Sequence, residues 1–225
     1  GNKGEANSSF IPINANLKLY NLLPDRVSIM FVEKIVSPGL AHFSYLLASG
    51  TEAVVIDPRR DIEVYLELCH DQGFDIKYVF ETHRNEDYII GSLELKKVNP
   101  EIEIYRGEDL EYEYGKLLSD GQEFSFGECK IKALHTPGHT LGSYSYVAYG
   151  EADPKQPQYV FTGDALFAGD TGRTDFYGEE RKAEVSGMLY DSIHEKILSL
   201  GENVIMYPAH GAGSVCGSSI EEREP

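Results

Sequence analysis

The chain has 225 residues, of which 41% are hydrophobic and 25% charged, with a formal charge of −17. These proportions are ordinary for a globular protein with one large core or two intimate ones, and the acidic balance argues against nucleic acid or an anionic membrane as partner. No apolar run approaches the ~20 residues that span a bilayer, and the three cysteines (Cys69, Cys129 and Cys216) form neither a disulfide framework nor a CxxC metal pair.

Residues 1–29 read as an N-terminal extension, partly flexible. The first nine are polar and carry no secretory signal, although a leader removed before them would leave the same tail. The cysteine usage points to a cytoplasmic, reducing setting, with an exported form left open by that possibility of trimming. Short β-branched or aromatic runs at 31–36, 44–49 and 53–57, separated by Pro-Gly and Ser-Gly turns, predict three strands. Asp57-Pro58 then hands over to a helix of about three turns, with Ile62, Leu66 and Cys69 on one face and Gly73 as its stop. That places Cys69 in packing rather than in chemistry.

Residues 78–82 predict the next strand, with His83 just past its end. Further strands are expected at 101–105 and 131–135, with an acidic stretch at 108–113 between them. The alternation of serine with aromatic residues at 143–149 predicts a half-buried antiparallel strand, and 159–163 a buried one that delivers Asp164. From 183 to 200 a helical period puts Val185, Leu189, Ile193, Ile197 and Leu200 on one stripe. A last strand at 203–207 delivers His210. Two successive sets of strands followed by a helix predict an α+β protein: two sheets packed face to face with helices outside.

Imidazoles and carboxylates repeatedly fall at the ends of these strands, a donor set suited to zinc or iron(II). The four-residue separation of His83 and Asp87 lets both point at one spot, the competing reading being a helix cap at Asp87 with His83 exposed. His139 follows Pro137 and Gly138, which form a tight turn that aims it back toward the strand end. Asp164 follows a buried run, where an unpaired carboxylate is costly; a metal would supply the charge, and so would a pair with Arg173. His210 sits among small residues in Pro-Ala-His-Gly-Ala-Gly. His135 reads as a hydrogen-bonded structural histidine and His194 as solvated, while His42 and His70 lack a ligand-like setting.

The ordered set His83…Asp87, Thr-Pro-Gly-His139-Thr, Thr-Gly-Asp164 and Pro-Ala-His210-Gly resembles the metallo-β-lactamase fold superfamily. Within it, Phe-Ala-Gly-Asp-Thr-Gly-Arg173-Thr-Asp-Phe and Pro-Ala-His210-Gly-Ala-Gly-Ser-Val-Cys216-Gly resemble the persulfide dioxygenase branch, which is close to glyoxalase II. The resemblance implies a four-layer αββα sandwich over residues 30–217, with the metal at one edge of the two packed sheets. It also implies that 218–225 begin a linker to a rhodanese-like domain, as in members that carry one.

The family's first motif usually reads His-x-His-x-Asp-His, whereas here Asn85 and Tyr88 stand at the second and last histidines. The resemblance therefore implies one iron(II) per chain, held by His83, His139 and Asp164, with zinc as the alternative metal. Asp87 and His210, with Asn85 and Tyr88, are implied to lie behind these ligands or to be remnants of a second metal site. Arg173 is implied to bind a carboxylate of the substrate, and Tyr207 to donate a hydrogen bond near the metal pocket. Cys216 is a candidate for reaction with sulfur, its small-residue loop equally suiting packing. The implied reactants are dioxygen and a small thiol persulfide such as glutathione persulfide, with a homodimer also compatible. The implied activity is oxidation of the persulfide to sulfite and thiol. Two other readings stay open: a zinc-dependent thioester hydrolase and a catalytically altered metal-binding member.

Overall fold

The computed structural model describes residues 30–221 apart from 86, 109–111 and 218. The expected N-terminal extension, the middle of the acidic stretch and most of the expected linker lie outside the described residues.

The first sheet runs in spatial order β1 (Phe31–Ser37), β2 (His42–Ser49), β3 (Glu52–Ile56), β4 (Asp75–Phe80), β5 (Glu103–Arg106) and β6 (Lys116–Leu117). Its first two pairings are antiparallel and the remaining three parallel. Helices α1 (Glu63–Gln72) and α2 (Ser92–Val98) are the crossovers that parallel pairing demands. The second sheet is formed by β7 (Glu123–Phe126), β8 (Cys129–His135), β9 (Tyr144–Tyr149), β10 (Pro157–Gly163) and β11 (Ile205–Pro208), in spatial order β11-β10-β9-β8-β7. Helix α3 (Glu179–Asp191) leads into β11 and makes β10–β11 parallel in an otherwise antiparallel sheet.

Both faces of each sheet are covered, so the central strands are apolar at successive residues rather than alternately. Leu47, Val54, Ile56 and Phe80 meet Phe126, Ile131, Tyr146 and Phe161 between the sheets. On the other face of the first sheet, Leu46, Val55 and Ile104 pack against Tyr65, Cys69 and Leu95 of α1 and α2. On the outer face of the second, Val147 and Val160 pack against Leu189, Ile193 and Ile197. The result is the expected αββα sandwich.

Gly73 ends α1 in the left-handed conformation, with φ 74°. Tyr65, which the sequence reading passed over, is the fully buried residue of that helix, and its hydroxyl bonds to Ser44 at 2.6 Å. The last helix begins at Glu179, earlier than the apolar stripe announces, and its tail is a π turn over Ser192–Ile197 and a 3-10 turn over Leu198–Leu200. A four-residue spacing outruns 3.6 residues per turn, and the wider turn keeps Ile193 and Ile197 facing the sheet. The last strand is Ile205–Pro208, shorter than expected and shifted toward His210. Strands β6 and β7 and helix α2 had no counterpart in the sequence reading.

Candidate metal centre

Four strand ends converge at one edge of the sandwich. Just after β4 the chain is hydrogen-bonded to both sheets: Glu81 N donates to Tyr105 O, Tyr144 N donates to Thr82 O, and the Tyr146 hydroxyl donates to Glu81 O. The backbone around His83 is thereby anchored from both sides. At the end of β10, Gly163 adopts φ +57°, and a Cβ there would lie 2.7 Å from Cβ of Thr82. Only glycine lets the two sheets approach closely enough to set Asp164 beside His83. His139 stands on the turn after β8, where a Cβ on Gly138 (φ +148°) would lie 2.3 Å from Cβ of Leu189.

His83, His139 and Asp164 are all buried, and their ligand atoms lie within 4.8 Å of one another. The Nε2 atoms of His83 and His139 stand 3.5 and 3.4 Å from Asp164 Oδ2. That oxygen is buried and has no hydrogen-bond partner. The far side of each imidazole sets its tautomer. Thr82 Oγ1 donates its one proton to Asp57 Oδ2 at 2.6 Å, so at 2.8 Å it must accept from His83 Nδ1. His139 Nδ1 faces the Arg173 carbonyl at 3.1 Å, which can only accept. In the neutral form each ring therefore presents an Nε2 lone pair to an orphaned carboxylate oxygen. Three electron-pair donors aimed at one point fit a cation.

The electrostatics agree. Burial opposes a charge on Asp164, but His83 and His210 outweigh it and hold the carboxyl well below its usual range. Burial pushes His83 down, but Asp164 and Asp57 together pull it up further, leaving it raised. Burial drives His139 down to about 4. A cation at the common point would take the place of the positive charge that Asp164 draws toward His83.

The described residues 83–85 and 87 are not helical, and Asp87 does not share the His83 cluster as their spacing had implied. It meets His210 instead: Nε2 of His210 lies 3.0 Å from Asp87 Oδ2, and Nδ1 lies 2.7 Å from Asp164 Oδ1. Burial lowers the His210 pKa, yet its two carboxylate partners lift it to about 10. With protons on both nitrogens, the ring donates to both carboxylates. The Cys216 thiol completes a group with Asp87 and His210 whose ligand atoms lie within 4.8 Å. Burial, followed by the neighbouring Asp164, pushes that thiol up to about 12.

The remaining candidates are dispersed. Asn85 Nδ2 donates to the His83 carbonyl at 3.2 Å. Tyr88 lays its ring on His42, centroids 3.8 Å apart, filling space beside His210. The Arg173 guanidinium forms a two-pronged pair with Asp175 at 2.6 and 2.7 Å; its backbone carbonyl, rather than its charge, touches the site. Tyr207 is not at the metal pocket. It stacks on Phe161 at 5.3 Å within the inter-sheet core, because β11 runs in register with β10 and the chain turns to the site only at His210.

The sequence reading missed three contributors. Asp57 holds a left-handed φ of 51° and receives both the amide and the hydroxyl of Thr82. Thr82 carries that anchor to His83. His42 is fully buried against Tyr88 and His210, where burial and then the nearby His210 push it down to about 3. The Asp57-Pro58 strand end was a local signal for the first; Thr82 depends on the neighbouring strand end that brings Asp57 to it, and His42 on its contacts with Tyr88 and His210.

An αββα sandwich with a histidine-and-aspartate site at its edge defines a metal-dependent class, and the chain belongs to the Metallo-beta-lactamase superfamily, whose family profile matches residues 37–210. It is 32% identical over 200 residues to the mitochondrial persulfide dioxygenase ETHE1 of Bos taurus, covering 86% of this chain and 73% of that protein. It is 30% identical over 175 residues to a probable hydroxyacylglutathione hydrolase of Schizosaccharomyces pombe, covering 75% and 63% respectively. The crystal structure of a metallo-beta-lactamase from Staphylococcus aureus superposes with a TM-score of 0.76 at 30% identity, covering 85% of this chain. This chain spans 59% of that structure's chain. Among the described residues no helix is long and apolar enough to cross a membrane.

Proposed function

We propose that this chain is a mononuclear iron(II) dioxygenase that oxidises the persulfide of a small thiol. The observation that carries the reading is the convergence of two Nε2 atoms and the orphaned Asp164 Oδ2. Two histidines and one carboxylate leave coordination positions open for reactants, the arrangement of non-haem iron(II) oxygenases. Bound there, iron(II) would supply dioxygen activation and a soft site for a persulfide sulfur. Asn85 and Tyr88, together with the His210 ring between its two carboxylates, favour one metal over two. Similarity to a persulfide dioxygenase at 32% identity supports the same reaction class.

The balanced reaction is R–S–SH + O2 + H2O → R–SH + SO3(2−) + 2 H+, in which the terminal sulfur is oxidised, the S–S bond breaks and dioxygen is reduced. Thr82 and the Arg173 carbonyl hold the two imidazoles in their metal-binding tautomer. Half-buried Asp87 and buried His210 form a hydrogen-bonded pair behind Asp164 that fixes its orientation. Burial of all three ligands excludes bulk water, which strengthens each of these electrostatic contacts.

Similarity to a hydroxyacylglutathione hydrolase favours a second reading, zinc-dependent thioester hydrolysis through a metal-bound water. Metal analysis of the purified protein, paired with oxygen uptake and sulfite release on glutathione persulfide, separates the two. Iron at about one per chain and stoichiometric sulfite, both abolished in His139→Ala, support the dioxygenase. Zinc with thioester cleavage and no oxygen uptake overturns it.

A further inference from the structure

A cavity of about 690 Å3 opens beside the metal centre, and Asp87 and His210 form part of its wall. Its charged lining comprises Lys34, Asp87, His210 and Glu221. Asp87 is already matched by His210 at 3.0 Å. Lys34 is different. Its ammonium sits 5.0 Å above the centre of the Phe43 ring, and among the described residues it has no carboxylate partner. Phe43 in turn is locked beside the site: its amide donates to Ala209 O at 2.7 Å, and His42 and His210 bridge across the same pair of segments. A Cβ on Gly211 would lie 2.5 Å from Cζ of Phe43, so the ring lies directly over the loop that follows His210. Lys34 is thus a half-buried cation held at an aromatic face within the cavity that borders the metal centre.

We infer that Lys34 is a specificity-determining residue that binds a carboxylate of the substrate's thiol carrier. The inference rests on the proposed reading that the site takes a derivative of a small thiol. The chain's charge of −17 repels anions at long range, so an anionic carrier needs a local cation to enter. Arg173, the residue that the sequence singled out for this role, is already engaged by Asp175. An ammonium with three donors and no anionic partner among the described residues is the complementary group for a carboxylate. This identifies the carrier class as carboxylate-bearing thiols and disfavours uncharged ones.

The test uses S-methylglutathione, which cannot be turned over, and its diethyl ester, which lacks both carboxylates and keeps the α-ammonium, titrated calorimetrically into the metal-loaded protein. Wild type should prefer the free acid. Lys34→Gln should weaken binding of the free acid about tenfold, the size of a charge-assisted contact, while changing the ester by less than twofold. Lys34→Arg should stay within about threefold of wild type. Equal losses for acid and ester, no loss for either, or absence of wild-type binding would overturn the assignment. Because binding is read without turnover, failure of oxygen uptake on any persulfide would count against the dioxygenase reading alone. Circular dichroism and melting of the Lys34 variants should match wild type, since the side chain bears no ion pair among the described residues.

Discussion

Replacing Thr82 by valine keeps the shape of a fully buried side chain and removes one hydroxyl, and with it the link between Asp57 and the metal site. Two hydrogen bonds disappear: the 2.6 Å bond to the Asp57 carboxylate and the 2.8 Å bond from His83 Nδ1. Asp57 keeps its bond from the Thr82 amide at 2.8 Å, so one carboxylate oxygen and one imidazole N–H are left buried without partners. Each such loss costs about 1–3 kcal/mol, which predicts a total destabilisation of about 2–4 kcal/mol when partial relaxation is allowed. His83 is then free to rotate or to take the other tautomer, so metal affinity should fall about 10- to 100-fold. Chelator competition on the loaded protein measures the affinity, and denaturant unfolding of the metal-free protein measures the stability. Thr82→Ser should restore most of both, because it returns the oxygen. Wild-type metal affinity in Thr82→Val would show that the hydroxyl does not set the imidazole and would refute the tautomer argument.

Burial raises the Glu81 carboxyl to about 7, with the Ser92 and Tyr114 hydrogen bonds pulling the other way. The native state therefore binds that proton more tightly than the unfolded chain, and stability falls as pH rises from about 4.5 to about 7. Glu81→Gln should consequently gain up to roughly 3 kcal/mol over wild type at pH 8 and little at pH 4, and parallel melting curves at both pH values check this. Gly163→Ala combines a left-handed φ of +57° with a contact 2.7 Å from the Thr82 Cβ. It should lose at least about 2 kcal/mol in urea unfolding together with its metal, and a silent substitution would mean the sheet ends can separate cheaply. Burial pushes the Cys69 and Cys216 thiols up to about 12, so neither should be alkylated by iodoacetamide at pH 8 in the folded protein, whereas both should react once it is unfolded. Mass spectrometry of the two samples distinguishes them.

Much of the framework was legible because it is written in local periodicity. The apolar runs of β2, β3 and β10 and the four-residue stripe from Val185 to Ile197 each announce an element by what one side of it must bury. Gly73 announces a helix end because few other residues adopt its φ. Strand β7 also carried a period-two signal in Glu-Phe-Ser-Phe, with its phenylalanines buried, that went unread. Strand β6 carried almost none: two exposed residues pair only because β5 lies beside them.

The site divides along the same line. Ligand chemistry depends on residue type, and strand ends are where a sheet exposes such residues, so His83, Asp87, His139, Asp164 and His210 stood out from the chain alone, whereas the choice of three among them came from the family resemblance. Which carboxylate meets which imidazole could not, because those contacts cross between sheets and depend on how closely the layers approach. Packing sent Asp87 to His210 rather than to His83, spent the Arg173 charge on Asp175 and turned Tyr207 into the core. It also brought in Thr82, Asp57, His42 and Lys34, whose roles come from neighbours on other strands and loops. Residue identity and period are properties of a segment, whereas the tautomer of a ring and the partner of a charge belong to the assembled layers.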